Sequence, residues 1–312
     1  MADRVKAQVL GRALRVAALR AGAPSDIRFT ERQLYYEVCR VLLPVPRGLR
    51  RPAFTVAAPV SYDDFRTALR EHGPIPGLLT PRPARPRPAG RHTPEPDLFD
   101  YGLPRLLICE SDDIAQMLRA NGVPMESACP VLSAAELPLD PRVAGMLELV
   151  EGSAVYLLHD ASAHGLTFPD RVRALTPIPD GVRVVPLGLR PRQAGSLHST
   201  HLPVSTSRSA RSEDEVDRTT DPRPPSDDPT SPRPDPADAQ PAPATAPIDL
   251  ESTVDPWESA WLRRNRYVEV DAVRPASLLR TVHRLVREVR PRGASTQWGR
   301  VRTTGFLTWP TA

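Results

Sequence analysis

Two arginines and a tyrosine recur at four-residue spacing near the start of the chain: Arg32, Tyr36 and Arg40. Residues four apart lie on one face of an α-helix, so the Tyr36 phenol is predicted to stand between two guanidinium groups. The neighbouring Tyr35 falls beside an apolar stripe and is expected to turn toward a core. A phenol flanked by arginines is placed to meet a phosphate, as a contact or as a nucleophile. The segment alone leaves open an exposed tyrosine on an ordinary basic helix.

Two carboxylates follow apolar runs that have the character of buried strands. Glu110 comes directly after Leu106–Cys109, and Asp160 follows Ala154–Leu158 with one histidine between them. Because ligands of an open parallel sheet bind beyond the carboxyl ends of the strands, these two side chains are predicted to converge. Carboxylates with no cysteine nearby suit a hard, oxygen-seeking cation such as Mg²⁺.

Other polar residues near these strand ends have simpler interpretations. Asp112 and Asp113 are expected to favour the N-terminus of the helix that follows them rather than a metal. Four histidines lie in or near the loops of this region: His159, His164, His198 and His201. They are interpreted as loop residues, because no metal-ligand spacing surrounds them.

Two sets of secondary-structure elements must position these residues, and the first lies before residue 75. Helical patterns cover residues 3–21, the segment around Tyr36 and residues 62–71, while residues 53–58 have strand character. Thr30 and Gln33 have the capping-box pattern at the start of the Tyr36 helix. Three short helices with one strand predict a helix-turn-helix or winged-helix module.

Beyond residue 103 apolar strands alternate with helices. Strands are predicted at 106–109, 154–158 and 182–187, and a helix follows the first of them at 114–120. This alternation is typical of an open α/β sheet with parallel strands, so the expected fold class is α/β. A further amphipathic helix is predicted at 277–289.

Composition divides the chain into five segments. Residues 1–74 hold the first helices, 75–100 form a Pro/Arg-rich linker, and 101–203 hold the alternating strands and helices. Residues 204–247 combine Pro, Ser, Thr and Asp with no aromatic residue, so this acidic insert is expected to be disordered. It would serve as a flexible linker or as a mimic of DNA that shields a basic surface. Residues 248–312 regain structured character and are expected to complete the α/β domain.

Charge and cysteine content narrow the classes of function. The insert carries five arginines and nine acidic residues, so the net charge of +4 becomes +8 outside it, which favours a nucleic-acid partner. Three cysteines without C-x-x-C spacing disfavour a disulfide framework and a zinc site. The sequence shows neither a signal peptide nor a membrane span, which predicts a cytoplasmic protein. P-loop, dinucleotide-binding and serine-hydrolase motifs do not occur.

Taken in order, five segments resemble the A subunit of type IIB DNA topoisomerase (topoisomerase VI) and its relatives in meiotic double-strand-break formation. They are Arg32–Tyr36, Leu107–Glu110, Leu158–Gly165 and, more weakly, Val184–Leu189 and Val268–Val273. That family joins a winged-helix domain to a Toprim domain, a Rossmann-like parallel sheet. The resemblance therefore implies a winged helix over 1–74 and a Toprim domain over 101–203, completed by 248–312, in a divergent member of bacterial type.

The resemblance also implies roles for particular residues. Tyr36 would attack a DNA phosphodiester and become joined to a 5′ end, while Arg32 would hold the scissile phosphate. Arg32 and Arg40 would contact DNA, and Glu110 and Asp160 would bind Mg²⁺. Each protomer of a homodimer would cut one strand of double-stranded DNA. Strand passage would need a separate ATPase subunit, since the chain lacks an ATPase module.

Ser162 departs from the family pattern, because it stands where the family has the second aspartate of an Asp-x-Asp motif. A neutral hydroxyl is a poorer magnesium ligand than a carboxylate, so the resemblance implies a weakened metal site. Asp112, Asp113 or Asp170 could supply a replacement carboxylate.

Three functions follow from this combination of residues. The first is a Mg²⁺-dependent tyrosyl transesterase acting on nucleoid DNA. The second is a DNA-binding module that has lost cleavage. The third is a Toprim nuclease of a chromosome-associated or anti-plasmid defence complex.

Overall fold

A computed structural model describes residues 2–44, 53–80, 101–203 and 254–288. Most of the predicted linker, the whole acidic insert and residues 289–312 lie outside this part of the chain. The expectations made for those segments, including disorder of the insert, therefore stay predictions.

The helices of the described residues are α1 Ala2–Gly22, α2 Glu31–Leu42, α3 Tyr62–His72, α4 Asp112–Ala120, α5 Val123–Ser127, α6 Pro141–Glu148, α7 Ala163–Leu166, α8 Phe168–Leu175, α9 Pro191–Ser196, α10 Pro256–Leu262 and α11 Pro275–Glu288. The strands are β1 Val56–Ala57, β2 Arg105–Cys109, β3 Val131–Ser133, β4 Ala154–Leu158, β5 Arg183–Gly188, β6 Thr200–Pro203 and β7 Arg266–Tyr267. Short 3₁₀ turns cover Ala134–Glu136 and Val270–Ala272. None of the described helices is both long enough and apolar enough to cross a membrane.

Four parallel strands form the main sheet in the order β3–β2–β4–β5. In its register Leu107 of β2 lies opposite Tyr156 of β4 on one side and Val131 of β3 on the other. Every residue of β4 is buried, as expected for a central strand covered on both faces. The structure thus confirms the predicted α/β class with a parallel sheet.

Alternation along the strands divides the core into two clusters. Leu107 and Tyr156 belong to the larger cluster, which also contains the apolar faces of α1, α2 and α11. Leu106 and Val155, one position earlier on each strand, belong to the smaller cluster with α8. Since successive strand residues point to opposite faces, the two clusters cover the two sides of one sheet.

The N-terminal helices are joined to the rest of the molecule by core packing and by a strand. Helix α1 packs against α2 and α3. Strand β1 pairs in parallel with β6, which in turn pairs antiparallel with β7. The strand predicted at residues 53–58 is therefore only two residues long. Among the described strands, β6 alone pairs with β1.

The local predictions for the helices are confirmed with small shifts of their ends. Helix α3 begins behind Ser61, whose side chain accepts a hydrogen bond from the Asp64 backbone N–H. Helix α11 buries Leu278, Val282 and Val286, while Leu285 is only partly buried, which is the one apolar face expected of an amphipathic helix. Residue 289, the predicted end of this helix, lies outside the described residues.

Candidate functional site

The start of α2 has the capping box that the sequence predicts. The Gln33 backbone N–H donates to Thr30 Oγ1 at 2.9 Å, and the Thr30 backbone N–H donates to Gln33 Oε1 at 3.0 Å. The Thr30 hydroxyl also donates to Asp271 Oδ1 at 2.6 Å, in a buried contact. The helix that carries Tyr36 is thus held at its first turn by the segment around residue 271.

Both tyrosines of the pair are buried. Tyr36 is 0% exposed and Tyr35 is 1% exposed. The Tyr35 hydroxyl donates to the Val60 carbonyl at 2.8 Å, while the Tyr36 hydroxyl donates to Glu269 Oε2 at 3.0 Å. The prediction that only Tyr35 would turn inward is therefore wrong, and so is the alternative of an exposed Tyr36. The reason is that the segment after β7 packs over the face of α2 that the sequence alone left open.

Arg32 is also held by Glu269. Its Nη1 lies 3.2 Å from Glu269 Oε1 and donates to Oε2 at 3.3 Å, and only 5% of Arg32 is exposed. The guanidinium carbon lies 4.3 Å from the centre of the Tyr62 ring, within the range of a cation–π contact. Arg32, Tyr36 and Glu269 thus form a buried cluster in which one carboxylate serves both a guanidinium and a phenol.

Arg40 takes a different set of partners. Its Nη1 donates to the Ala272 carbonyl at 2.7 Å, and its Nη2 donates to Glu37 Oε1 at 2.8 Å. Tyr36 donates to Glu269 rather than standing between the two guanidinium groups, so the predicted arrangement is wrong in this respect. Helical spacing correctly places the three side chains along α2, but their contacts are decided by residues 269–272.

Burial and charge make the Tyr36 phenol hard to ionise. Burial is the largest cause that raises its pKa well above the usual value, and the negative charge of Glu269 raises it further, against a smaller opposing effect of Arg32. A neutral phenol is a weak nucleophile until a base removes its proton. The carboxylate that accepts its hydrogen bond, Glu269, is placed as such a base.

The two predicted metal ligands do meet at the carboxyl edge of the sheet. Glu110 Oε2 accepts a hydrogen bond from the Asp160 backbone N–H at 3.0 Å. The other oxygen, Glu110 Oε1, lies 2.8 Å from Arg171 Nη2 and 3.6 Å from His164 Nε2. Asp160 Oδ1 accepts a hydrogen bond from the Val270 backbone N–H at 2.7 Å. The convergence of the strand ends follows the prediction, whereas Arg171 had not been given a role.

Ser162 acts as a helix cap in this arrangement. Its Oγ accepts a hydrogen bond from the Gly165 backbone N–H at 2.8 Å at the start of the short helix α7. Gly165 packs against the Asp160 backbone so closely that a Cβ there would overlap the Asp160 carbonyl oxygen. The Asp160–Gly165 loop is therefore a tight turn that depends on a capping oxygen at 162 and on a glycine at 165.

The side chains at this edge do not make a donor set that fits a magnesium ion as they are arranged. Glu110 is opposed by the Arg171 guanidinium, Asp160 accepts from a backbone N–H, and Ser162 caps a helix. Within the described ranges there is no group of three or more His, Cys, Asp or Glu side chains that could hold a metal. Mg²⁺ binding by this chain stays a prediction.

Asp112 and Asp113 have the structural role that the sequence predicted, and Asp170 lies on a separate helix. Asp112 and Asp113 occupy the first turn of α4 behind the Ser111 cap. Asp170 is exposed in the first turn of α8, with Arg173 Nη1 3.6 Å from its carboxylate. All three thus belong to the first turns of helices in the described part of the chain, and a replacement carboxylate at the metal site stays a prediction.

His159 is buried rather than lying in an open loop. Only 2% of it is exposed, and its Nδ1 lies 3.0 Å from the Asp160 carbonyl oxygen. Burial is the largest cause that lowers the pKa of His159, because it disfavours the charged ring. Of the other three histidines, His198 lies in a turn before β6, as the loop interpretation predicted. That interpretation is wrong for His164, which lies in α7, and for His201, which lies within β6.

Residues 268–272 connect the two halves of the candidate site. Val268 pairs with Ala161 in an antiparallel bridge, beside the Asp160 contact to Val270. From the same short segment, Glu269 reaches Tyr36 and Asp271 reaches Thr30. The sequence prediction missed both carboxylates. The alternation of apolar and acidic residues in Val268-Glu269-Val270-Asp271 was the available signal, although Val270–Ala272 forms a 3₁₀ turn rather than a strand.

Three comparisons with known proteins found no match to this chain. No family model matches the chain. Neither the curated proteins nor the solved structures contain a significant match.

Proposed function

We propose that this chain is a DNA-binding protein with the plan of a topoisomerase VI A subunit, a winged helix joined to a Toprim-like sheet, in which DNA cleavage is suppressed. The observation that carries the proposal is the burial of Tyr36, whose exposed fraction is 0%. A tyrosine that attacks a phosphodiester must bring its oxygen to within about 3–3.5 Å of the phosphorus. In the described arrangement Glu269 occupies the place where that phosphate would have to sit.

Three side chains at positions that would assist cleavage have other partners. The Arg32 guanidinium pairs with Glu269 instead of meeting a scissile phosphate. Glu110, the first predicted metal ligand, pairs with Arg171. Ser162, which replaces a carboxylate of the family pattern, is used as a helix cap. Each contact is a specific reason why a relative with this plan would bind DNA without cutting it.

DNA binding itself is supported by charge. Outside the acidic insert the chain carries a net +8, almost entirely as arginine, since Lys6 is its one lysine. Arginine makes bidentate contacts with phosphate oxygens, and such contacts release counterions from DNA. Binding should therefore weaken steeply with salt, with a slope of log K against log [salt] of about −0.9 for each phosphate contact.

Fluorescence anisotropy with a labelled duplex, read over a salt series, tests this proposal. We expect salt-sensitive binding and no covalent protein–DNA adduct after denaturation. The absence of duplex binding at low salt would contradict DNA binding. An adduct that forms in wild type and is lost in Tyr36→Phe would contradict the suppression of cleavage.

The hydrogen bond from Tyr36 to Glu269 favours a second candidate function, tyrosyl transesterification in a rearranged state. If residues 268–272 moved aside with DNA bound, Glu269 would accept the phenolic proton as the Tyr36 oxygen bonded to phosphorus. The bond from phosphorus to the 3′ oxygen would break, and that oxygen would take up a proton. Two protomers of a homodimer would be needed to cut both strands.

The adduct assay separates this candidate from the others. Plasmid is incubated with wild type, Tyr36→Phe or Glu110→Ala in the presence of Mg²⁺ or Mn²⁺ and is then denatured. Transesterification predicts an adduct in wild type alone. Cutting that persists in Tyr36→Phe would instead indicate hydrolysis by a Toprim nuclease. The absence of both adduct and cutting supports the binding protein.

A further inference from the structure

A groove of about 360 Å³ lies beside the C-terminal end of α2, next to Arg40. Its polar lining comes from four separate parts of the chain: Arg20, Arg40, His198, Thr200 and Arg274. None of the described residues that line it is an aspartate or a glutamate. Three arginines that are distant in sequence therefore meet at one surface depression.

The groove carries excess positive charge. Arg40 Nη2 lies 2.8 Å and Arg274 Nε lies 3.6 Å from the same carboxylate oxygen of Glu37. Glu37 is 1% exposed and lies beneath the groove rather than in its lining. Arg20, in the last turn of α1, is exposed beside them. Three guanidinium groups thus line the groove, and the carboxylate that two of them share is buried.

Two buried nitrogens of the lining residues have no hydrogen-bond partner within the described part of the chain: Arg40 Nε and His198 Nε2. Buried donors are nearly always satisfied, so such nitrogens beside a cationic groove indicate a missing acceptor. His198 also has a φ of 49°, in the left-handed region that a residue with a Cβ seldom adopts. Its ring centre lies 4.4 Å from that of Phe54 in an edge-on contact, which helps to hold this conformation.

Apolar side chains form the rest of the groove. Leu43 and Leu197 line it and are 46% and 38% exposed. Val56, Pro44 and Pro59 complete this side. Small-molecule sites in proteins have volumes of roughly 300–1,000 Å³ and combine apolar walls with a few polar groups. The groove is at the small end of that range, which matches a single nucleotide.

We propose that this groove binds the phosphate ester of one nucleoside, with the phosphate on Arg20, Arg40 and Arg274 and the base on Leu43 and Leu197. The same chemistry is offered by a free nucleotide and by the phosphorylated 5′ end of a DNA strand. A free nucleotide would fill the groove whether or not the protein binds duplex DNA. The site thus goes beyond the function proposed above.

Isothermal titration of the full chain with adenosine 5′-monophosphate, adenosine and inorganic phosphate tests the site. We expect the monophosphate to bind more tightly than either of its parts, because it alone meets both sides of the groove. Arg20→Gln should weaken monophosphate binding about tenfold, the loss expected for one charge-assisted hydrogen bond at an exposed arginine. Arg15→Gln, on an exposed part of the same helix away from the groove, is the matched control and should bind like wild type.

Competition experiments distinguish a free nucleotide from the end of a DNA strand. Two short oligonucleotides are compared, one with a 5′ phosphate and one with a 5′ hydroxyl. Displacement of the monophosphate by the 5′-phosphate oligonucleotide alone supports a strand-end site. Displacement by neither supports a free nucleotide. The site is overturned if the monophosphate does not bind wild type, or if Arg20→Gln and Arg15→Gln bind it equally. A parallel anisotropy measurement on a 5′-hydroxyl duplex tests duplex binding by itself, so failure of the groove site can be told apart from failure of the proposed DNA binding.

Discussion

The Tyr36 hydroxyl donates a hydrogen bond of 3.0 Å to Glu269, a residue 233 positions later in the chain. The same carboxylate is the ion-pair partner of Arg32, with side-chain exposures of 6% for the arginine and 1% for the glutamate. A tyrosine and an arginine whose spacing suggests phosphate chemistry are thus joined to an internal anion. This relationship leads to the first predictions.

Replacing Glu269 by glutamine should destabilise the fold strongly. Gln keeps the size of the side chain but leaves the Arg32 guanidinium buried without its counter-charge. Removing one partner of a buried ion pair costs about 3–5 kcal/mol of the free energy of unfolding. Urea denaturation of Glu269→Gln measures that loss.

The double variant Arg32→Gln/Glu269→Gln is the control for that measurement. It removes both charges together, so it should recover part of the loss. Equal stability of Glu269→Gln and wild type would show that the ion pair does not form.

Tyr36→Phe should be more costly than Tyr35→Phe. The first change removes a hydrogen bond to a carboxylate, which contributes roughly 1.5–3 kcal/mol, and the second removes one to the neutral Val60 carbonyl, which contributes about 1 kcal/mol. Both variants keep the ring and its packing, so each is the control for the other. Thermal unfolding followed by circular dichroism provides the comparison, and the reverse order would contradict the Tyr36–Glu269 contact.

Stability should fall in alkali because the pKa of Tyr36 is raised in the folded protein. Below about pH 10, the ordinary pKa of tyrosine, the phenol is neutral in both states and its contribution is fully present. Above that pH the unfolded chain loses its proton while the folded chain keeps it, so the free energy of unfolding decreases.

The alkaline slope is measured by urea denaturation at a series of pH values. Tyr36→Phe should show a shallower decline than wild type, because one of the buried phenols is gone. An identical decline in the two proteins would show that Tyr36 ionises as easily in the folded state as in the unfolded state.

The acid side of the stability profile should depend on His159. Burial lowers its pKa, so the unfolded chain takes up a proton near pH 6.5 while the folded chain does not. The contribution of His159 is therefore complete above that pH and is lost as the pH falls. His159→Gln should therefore flatten the decline below about pH 6.5. Urea denaturation of the variant and of wild type between pH 7 and 5 checks this, and an identical decline in the two proteins would contradict it.

Ser162→Asp should create a response to Mg²⁺. Aspartate is as good a helix cap as serine, so the loop should keep its shape while a third carboxylate joins Glu110 and Asp160. We expect added Mg²⁺ to raise the Tm of this variant and not of wild type. Ser162→Asn is the control, because it caps the helix without a charge. A similar shift in both variants would rule out a site made by the new carboxylate.

Much of the local structure was predictable because its causes are local. The Thr30–Gln33 capping box, the amphipathic helices and the apolar strands each depend on residues a few positions apart. The approach of Glu110 to Asp160 was also predictable, since parallel strands place their carboxyl ends at one edge.

The partners of those residues were decided only by tertiary packing. Whether Tyr36 meets solvent or Glu269, and whether Glu110 meets a metal or Arg171, depends on which distant segment covers each site. The sequence by itself determined the elements, the pair of strand ends and the positions of Arg32 and Tyr36 on one helix. The fold alone decided that Glu269 is the anion they share, because hydrogen bonds between residues 233 apart leave no local pattern to find.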